Sequence, residues 1–479
     1  MNDSNNIFRR ITPQEADEQK GYSHRHRPQF HYTYKQGFLG DVTGLFYYQG
    51  NYHLFNMFDN WSMERHEHKN WGHTVSSDLI HWKQLPPVLD TLVDSHPGSG
   101  CGLVDFNNSS GLRKNHNKTI MIFYTDYTQG ICISYSTDGG KSFTRYGKNP
   151  IIPMKKYESI KNGKPVSDPL RDPLVVWYKE SAIWSMILYE NSGYNFYTSK
   201  NLLNWAFSSR LEDFYECPDI FEIEVSNEKI YKWVLINGDG KYYVGDFDGY
   251  KFIPETRQQI LEYGKGYAAQ TFKRTINARE IVQLMWLYYP NDSKYLWRSE
   301  VSFPCKITLK CDGNSYLLCK NPIEDIDTLC IDQRFRKNFC ILPKEDPLIE
   351  LEGRLYNIIM SLNTQNVQYI EIGVKGEKIK INICSGKIKF MDCTMPITIR
   401  ENTIKLQILI DTSSVEIFAN DGEACISRCF FPSEKEENRY SLNFTGEKLN
   451  INMLEINRLE SIWLYNEIIE GNYRFVNIW

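Results

Sequence analysis

Several features that define common protein classes are missing from this sequence. It contains no apolar run of about 18 residues, so we expect no transmembrane helix. Its 55 basic and 59 acidic residues leave a net charge of -4, and this balance predicts neither a nucleic-acid partner nor a membrane surface. Residues 1–20 are polar and charged, without an apolar signal segment, which predicts a cytoplasmic protein.

Paired metal-binding motifs are also missing. None of the 12 cysteines forms a Cys-x-x-Cys pair, and Cys425 and Cys429 have no histidine nearby, so we expect reduced and mostly buried thiols. The candidate histidines lack the spacing of a metal site, which predicts neither a metal nor a cofactor. These histidines are His24, His26, His66, His68 and His73.

Aromatic residues, by contrast, are abundant at 14%, and they mark an internal repeat. Trp82, Phe143 and Trp205 each close a Ser-rich turn segment, at intervals of about 60 residues. Four short strands per interval, repeated five times, are typical of a five-bladed β-propeller, which we predict over residues 25–325. The second strands of the five units are predicted at Tyr52–Phe58, Ile120–Tyr127, Ala182–Tyr189, Lys232–Ile236 and Ile281–Tyr289.

The remaining residues have a different pattern. Alternating apolar and polar residues recur, and Asn420-Asp421-Gly422 lies between two apolar runs, which indicates a tight β-hairpin. This pattern predicts a β-sandwich over residues 335–479 and an all-β fold for the whole chain. Exposed edges of such a sandwich could pair two chains in a homodimer.

Three carboxylates occupy one position of the repeat. Asp41, Asp172 and Glu216 each precede the apolar pair of a blade's first strand by four and five residues, and Ser99 takes this position in the second blade. Because the first strands of a propeller line its central channel, these acids should meet at one mouth. Like charges packed together are costly, whereas a glycosidase requires a nucleophile and a protonated acid side by side.

The residues beside these acids refine the expectation. The proline after Asp172 predicts an extended backbone at that residue. Arg171 offers a guanidinium that can pair with a neighbouring carboxylate. Tyr215 and Cys217 flank Glu216 with a ring and a thiol, which predicts a poorly solvated carboxyl that stays protonated as a general acid requires.

Five segments carry motifs of one known family. They are Arg27–Thr33, Trp71–Trp82, Arg171–Pro173, Glu216–Asp219 and Ser413–Glu423. Together they resemble glycoside hydrolase family 32, which comprises invertases, fructanases and sucrose-6-phosphate hydrolases, and the resemblance covers most of the chain.

The resemblance implies an activity and a set of roles. A member of this family releases fructose from β-fructofuranosides such as sucrose, sucrose-6-phosphate or short fructans through a fructosyl-enzyme intermediate. It implies that Asp41 is the nucleophile, Glu216 the acid/base and Asp172 the transition-state stabiliser. The reaction retains the anomeric configuration, for which the two working carboxyls lie roughly 5–5.5 Å apart.

The chain departs from the family at the nucleophile motif. The family has Trp-Met-Asn-Asp-Pro-Asn-Gly where this chain has Phe38–Gly44, and Met57 takes the place of a glutamine. Gly98–Cys101 replaces Phe-Ser-Gly-Ser. Since these positions surround the fructose in the family, the departures imply a modified fructoside or an extended fructan as substrate rather than sucrose. The expected substrate contacts are Phe38, Thr43, Met57, Trp71, Ser99, Arg171 and Cys217, with Trp61 as a further pocket wall.

Three other functions remain open from the sequence. A fructosyltransferase would share the intermediate and replace water by a sugar hydroxyl. A catalytically weak sugar-binding protein would explain the altered residues around Asp41, although the intact segments at Asp172 and Glu216 oppose it. An arabinan-type furanosidase would share the propeller, but the Trp-Gly-His and Glu-Cys-Pro-Asp motifs argue against it.

Overall fold

The computed structural model describes residues 22–59, 70–89, 95–154, 160–161, 164–165, 168–226, 228–272, 275, 280–289, 295–313 and 315–464. Within these ranges almost all of the regular secondary structure is β-strand. No helix in the described ranges has the length and apolar character needed to cross a membrane.

Five antiparallel sheets succeed one another between residues 37 and 322. The first contains β1 (Gly37–Tyr48), β2 (Asn51–Asp59), β3 (Asn70–Ser76) and β4 (Lys83–Leu89). The second contains β5 (Pro97–Asp105), β6 (Thr119–Asp126), β7 (Gly130–Ser136), β8 (Thr144–Arg145) and β9 (Ile152–Pro153). A separate hairpin of β10 (Ile160–Lys161) and β11 (Lys164–Pro165) follows.

The other three sheets complete the series. The third contains β12 (Arg171–Tyr178), β13 (Ile183–Glu190), β14 (Gly193–Ser199) and β15 (Ala206–Glu212). The fourth contains β16 (Asp219–Glu224), β17 (Tyr231–Ile236), β18 (Lys241–Phe247), β19 (Phe252–Pro254) and β20 (Gln259–Ile260). The fifth contains β21 (Gly266–Phe272), β22 (Ile281–Leu287), β24 (Glu300–Val301), β25 (Cys305–Asp312) and β26 (Ser315–Pro322), whereas β23 (Trp297–Arg298) joins the first sheet.

The sheets form a closed ring. The first strands of neighbouring sheets, β1, β5, β12, β16 and β21, contact one another in sequence, and β21 returns to β1. β23 also pairs with β1 in parallel, with Gly37 opposite Trp297 and Phe38 opposite Arg298. The predicted five-bladed β-propeller is therefore confirmed, and the first strand of each blade faces the central axis.

The sequence repeat corresponds to one turn between the third and fourth strands of a blade. In the first blade the Ser76 hydroxyl accepts the Leu79 N–H at 2.8 Å, and the Asp78 carboxylate accepts the Ile80 N–H at 2.9 Å. Ser136 with Asp138 and Ser199 with Asn201 make equivalent bonds in the next two blades. The repeated serine and Asp/Asn therefore satisfy backbone donors at these turns.

A 3-10 helix, Glu324–Leu329, leads into the C-terminal β-sandwich. Its first strand begins at Cys330, before the predicted start at 335, and residues 465–479 lie outside the described part of the chain. One sheet contains β27 (Cys330–Ile341), β28 (Tyr356–Asn363), β33 (Thr403–Ile410), β34 (Ser414–Ala419), β35 (Ala424–Cys429) and β37 (Leu449–Leu459). The other contains β29 (Tyr369–Val374), β30 (Glu377–Asn382), β31 (Lys387–Phe390), β32 (Cys393–Pro396) and β36 (Tyr440–Thr445). β34 and β35 form the hairpin that Asn420-Asp421-Gly422 predicted, and a second 3-10 helix covers Ile462–Leu464.

A buried cluster of charges joins the two domains. The Asp411 carboxylate of the sandwich accepts the backbone N–H groups of Gln29 at 2.7 Å, Phe30 at 2.9 Å and His31 at 3.1 Å. The His31 ring lies 2.9 Å from Asp411 through Nδ1 and 2.8 Å from Glu416 through Nε2. Burial disfavours the charged ring, but these two hydrogen bonds outweigh it and raise the pKa of His31 to about 10.

Candidate active site

A cavity of about 150 Å³ opens at the propeller end where the first strands of the blades begin. All three predicted carboxylates, Asp41, Asp172 and Glu216, line it. Asp41 lies in β1, Asp172 is the second residue of β12, and Glu216 precedes β16. The repeat thus brings these acids together from three blades, as the shared offset predicted. The other lining residues are Phe38, Gly40, Met57, Gly98, Ser99, Tyr127, Arg171, Cys217 and Trp286.

Asp41 is oriented by the second blade. The Ser99 hydroxyl donates a hydrogen bond of 2.6 Å to Asp41 Oδ2. Ser99 occupies the repeat position at which three other blades have an acid. The same offset therefore supplies both the Asp41 carboxylate and the hydroxyl that binds it. A carboxylate fixed in this way is suited to attack a carbon held in the cavity.

Glu216 is held by a guanidinium and a phenol. Arg171 Nε donates to Glu216 Oε2 at 2.8 Å, and the Tyr267 hydroxyl donates to Glu216 Oε1. Asp168 in turn accepts a 2.6 Å bond from Arg171 Nη1. The predicted apolar surroundings of Glu216 are wrong, because Tyr215 is 45% exposed and Arg171 pairs directly with the carboxylate.

Asp172 is the most buried of the three acids. Burial, reinforced by the charges of Glu216 and Asp41 and opposed by Arg171, raises the pKa of Asp172 to about 7. Its Oδ2 accepts the Cys217 N–H at 3.2 Å. At neutral pH such a carboxyl can both donate to and accept from the hydroxyl groups of a sugar.

The backbone at Asp172 differs from the sequence expectation. Its φ is +56°, in the left-handed region, and not extended as the following proline predicted. Cys217, which also precedes a proline, has the same φ of +56°. Tertiary contacts override the local preference, since the Asp172 N–H is bound by Thr125 and the Asp172 side chain binds the Cys217 N–H. Strained residues of this kind concentrate at functional sites.

Two domain models of one known family match this chain. The Glycosyl hydrolases family 32 N-terminal domain matches residues 31–322, and the Glycosyl hydrolases family 32 C terminal matches residues 376–458. The chain belongs to glycosyl hydrolase family 32. The predicted family is thus confirmed, and so is the prediction of a glycoside hydrolase.

Relatives within family 32 cover most of this chain. It is 28% identical to a levanase of Bacillus subtilis (strain 168) over 94% of this chain and 72% of the relative. It is 32% identical to an invertase of Schizosaccharomyces pombe, over 60% of this chain and 54% of the relative. The crystal structure of an exo-inulinase from Aspergillus awamori superimposes with a TM-score of 0.81 at 24% identity, covering 92% of this chain and 100% of that one. The propeller-and-sandwich fold is thus confirmed independently.

Five of the seven expected substrate contacts line the cavity, and two do not. Phe38, Met57, Ser99, Arg171 and Cys217 are in place.

Thr43 and Trp71 require a correction. Thr43 is fully buried and its hydroxyl exchanges hydrogen bonds with the backbone of Gly100, so it links β1 to β5 instead of facing a substrate. Trp71 is also fully buried, and its indole N–H donates to the Gly98 carbonyl at 3.0 Å. Both residues support the Gly98–Cys101 segment from behind.

The fifth blade contributes residues that sequence reasoning missed. Tyr267 of β21 binds Glu216, and Trp286 of β22 lines the cavity and meets the Phe38 ring edge-to-face at 5.8 Å. Tyr127, at the end of β6, lines it as well. A search for acids at one offset passes over these aromatic residues, although aromatic rings suit the apolar faces of sugars and could have been a signal.

The described residues contain no cluster of three or more His, Cys, Asp or Glu that could bind a metal. His66, His68 and Trp61 lie outside the described ranges. All twelve cysteines are free thiols, and most are buried.

Thr125 connects two parts of the site, and its replacement should slow the reaction. Its hydroxyl accepts the Asp172 N–H at 2.9 Å and donates to the Ser99 carbonyl at 3.2 Å. We expect Thr125→Val to lower kcat/KM by about tenfold or more, because two buried hydrogen bonds are lost and both Asp172 and Ser99 are released. Steady-state kinetics beside Thr125→Ser, which keeps the hydroxyl, measures this. Equal values for the valine and serine variants would show that the hydroxyl has no positioning role.

Proposed function

We propose that this chain releases single fructose units from the ends of β-fructofuranosides with retention of configuration. The observation that carries the proposal is the convergence of Asp41, Asp172 and Glu216 on one small cavity. The activities named for its relatives, levanase, invertase and exo-inulinase, support the same substrate class.

Each of the three carboxylates has one role in this reaction. Asp41, oriented by Ser99, attacks the anomeric carbon and forms a fructosyl ester. Glu216, held by Arg171 and Tyr267, gives its proton to the departing oxygen and then takes one from the attacking water. Asp172 binds the sugar hydroxyls and stabilises the charge that develops on the ring.

The cavity size supports release of one unit at a time. At about 150 Å³ it is smaller than the 300–1,000 Å³ typical of pockets that enclose larger ligands, so it suits one sugar ring. A terminal ring fits such a cavity, with the rest of the substrate outside.

The test is the release of free fructose by the purified protein from sucrose, sucrose-6-phosphate, inulin-type oligosaccharides and levan-type oligosaccharides. Asp41→Ala provides the blank. We expect release from at least one substrate class, and NMR of the first product should show the β-anomer before mutarotation. The substrate with the highest kcat/KM then identifies the linkage.

Three other results would each indicate a different function or mechanism. Transfer products that outnumber free fructose at high sucrose would indicate a fructosyltransferase. Binding without turnover that persists in Asp41→Ala and Glu216→Ala would indicate a sugar-binding protein. Initial release of the α-anomer would contradict a retaining mechanism.

A further inference from the structure

The cavity has two chemically different walls. One wall is charged and polar, and it is formed by Asp41, Ser99, Arg171, Asp172 and Glu216. We call Phe38 and Met57, beside the backbone of Gly40, the apolar wall; Trp286 also lines the cavity and adds an indole N–H donor. A fructose ring carries hydroxyl groups around its whole perimeter, so a ring bound here cannot meet the same kind of partner on both sides.

Met57 and Phe38 are the side chains of the apolar wall. Met57 lies in β2 and is 8% exposed, and Phe38 is 5% exposed. A thioether is at most a weak hydrogen-bond acceptor and never a donor, and a phenyl ring has neither function. A sugar hydroxyl directed at these two side chains therefore leaves its water partners without gaining a new one.

Gly40 shows that the apolar wall is closely packed. A Cβ atom at Gly40 would lie 2.9 Å from Phe38 Cε1 and 3.0 Å from Met57 Cβ. A polar side chain at residue 40 would therefore clash with the neighbours that form the wall. The glycine at residue 40 and the methionine at residue 57 thus fit each other sterically. Both residues are departures from the family motif.

We propose that the cavity selects a deoxy-fructofuranosyl unit, one that lacks the hydroxyl facing Met57, over fructose itself. This inference rests on the proposed function and specifies its substrate. Burial of a polar group without a partner is costly, whereas the same surface is favourable to a C–H group.

The test uses sucrose and four analogues, each lacking one hydroxyl of the fructosyl ring, at C1, C3, C4 or C6. We expect the wild-type protein to hydrolyse one analogue with a kcat/KM about ten- to a hundredfold above that of sucrose, the range over which an apolar pocket discriminates against a hydroxyl. Met57→Gln supplies an amide and should shift the preference back towards sucrose for that same analogue. Met57→Leu keeps an apolar side chain of similar volume and should preserve the wild-type order.

Two results would overturn the inference. One is a wild-type kcat/KM that is highest for sucrose, and the other is the same substrate order in Met57→Gln and Met57→Leu. Calorimetric binding of fructose and the four deoxyfructoses to Asp41→Asn separates this inference from the proposed function. Tighter binding of one deoxyfructose supports the selectivity even if no substrate is hydrolysed, and tightest binding of fructose contradicts it even if sucrose is hydrolysed.

Discussion

Replacing Asp41 by asparagine should lower kcat for fructose release by about 10⁴-fold or more while the protein stays folded. An amide of the same shape cannot form the ester with the sugar, and removal of a nucleophile costs rate on this scale. Glu216→Ala should lose about 10²–10⁴-fold with a poor leaving group, because the departing oxygen is no longer protonated. Fructosides with an activated leaving group should be affected much less, and azide should partly restore turnover.

Steady-state kinetics and thermal melting of both variants measure this expectation. Glu212→Gln is the matched control, since Glu212 pairs with Arg210 on the exposed edge of the third blade and does not line the cavity. Its kcat and melting temperature should equal those of the wild type. Unchanged turnover in Asp41→Asn or Glu216→Ala would remove that residue from its role.

His31→Ala should lower the free energy of unfolding by about 3–5 kcal/mol, the cost of removing one partner from a buried ion pair. The substitution leaves the carboxylates of Asp411 and Glu416 buried without their common cation. His81→Ala is the control, because His81 also lies 2.8 Å from an aspartate, Asp78, but at an exposed turn. Exposed pairs contribute about 0–1 kcal/mol, so this variant should melt close to the wild type.

The pH dependence gives this prediction a second measurement. The folded pKa of His31, about 10, lies above its ordinary value of 6.5, so its stabilising contribution is complete below about pH 6.5 and is lost as the pH rises through about 10. The difference in stability between wild type and His31→Ala should therefore shrink with alkaline pH. A difference that stays constant from pH 6 to 10 would show that packing, and not charge, gives His31 its effect.

The parts of the molecule that depend on local pattern were predictable from sequence. The repeat and the strand pattern gave five blades, the Asn420-Asp421-Gly422 turn gave the β34–β35 hairpin, and one offset brought three acids to one cavity. These features follow from the spacing of apolar residues and from turn residues, and both signals can be read within short stretches of sequence.

The features that depend on contacts between blades were not predictable in this way. Asp172 has a left-handed backbone that departs from the preference set by the next proline, and its N–H is bound by Thr125, which is distant in sequence. Trp71 belongs to a motif that suggests sugar contact, yet it supports Gly98 from within the blade. Tyr267 reaches Glu216 only because the ring of blades closes.

The contacts between Asp411 and the Gln29–His31 segment also bear on the order in which the protein is completed on the ribosome. The two partners are separated by 380 to 382 residues. At about 5–20 residues per second, the segment would wait about 20–80 s for its carboxylate to be synthesised. During that interval the amides of the N-terminal segment have only water or a chaperone to bind. The sandwich thus supplies the last partner of the N-terminal segment, and a chain that ends before Asp411 would lack the acceptor for the three amides of Gln29–His31.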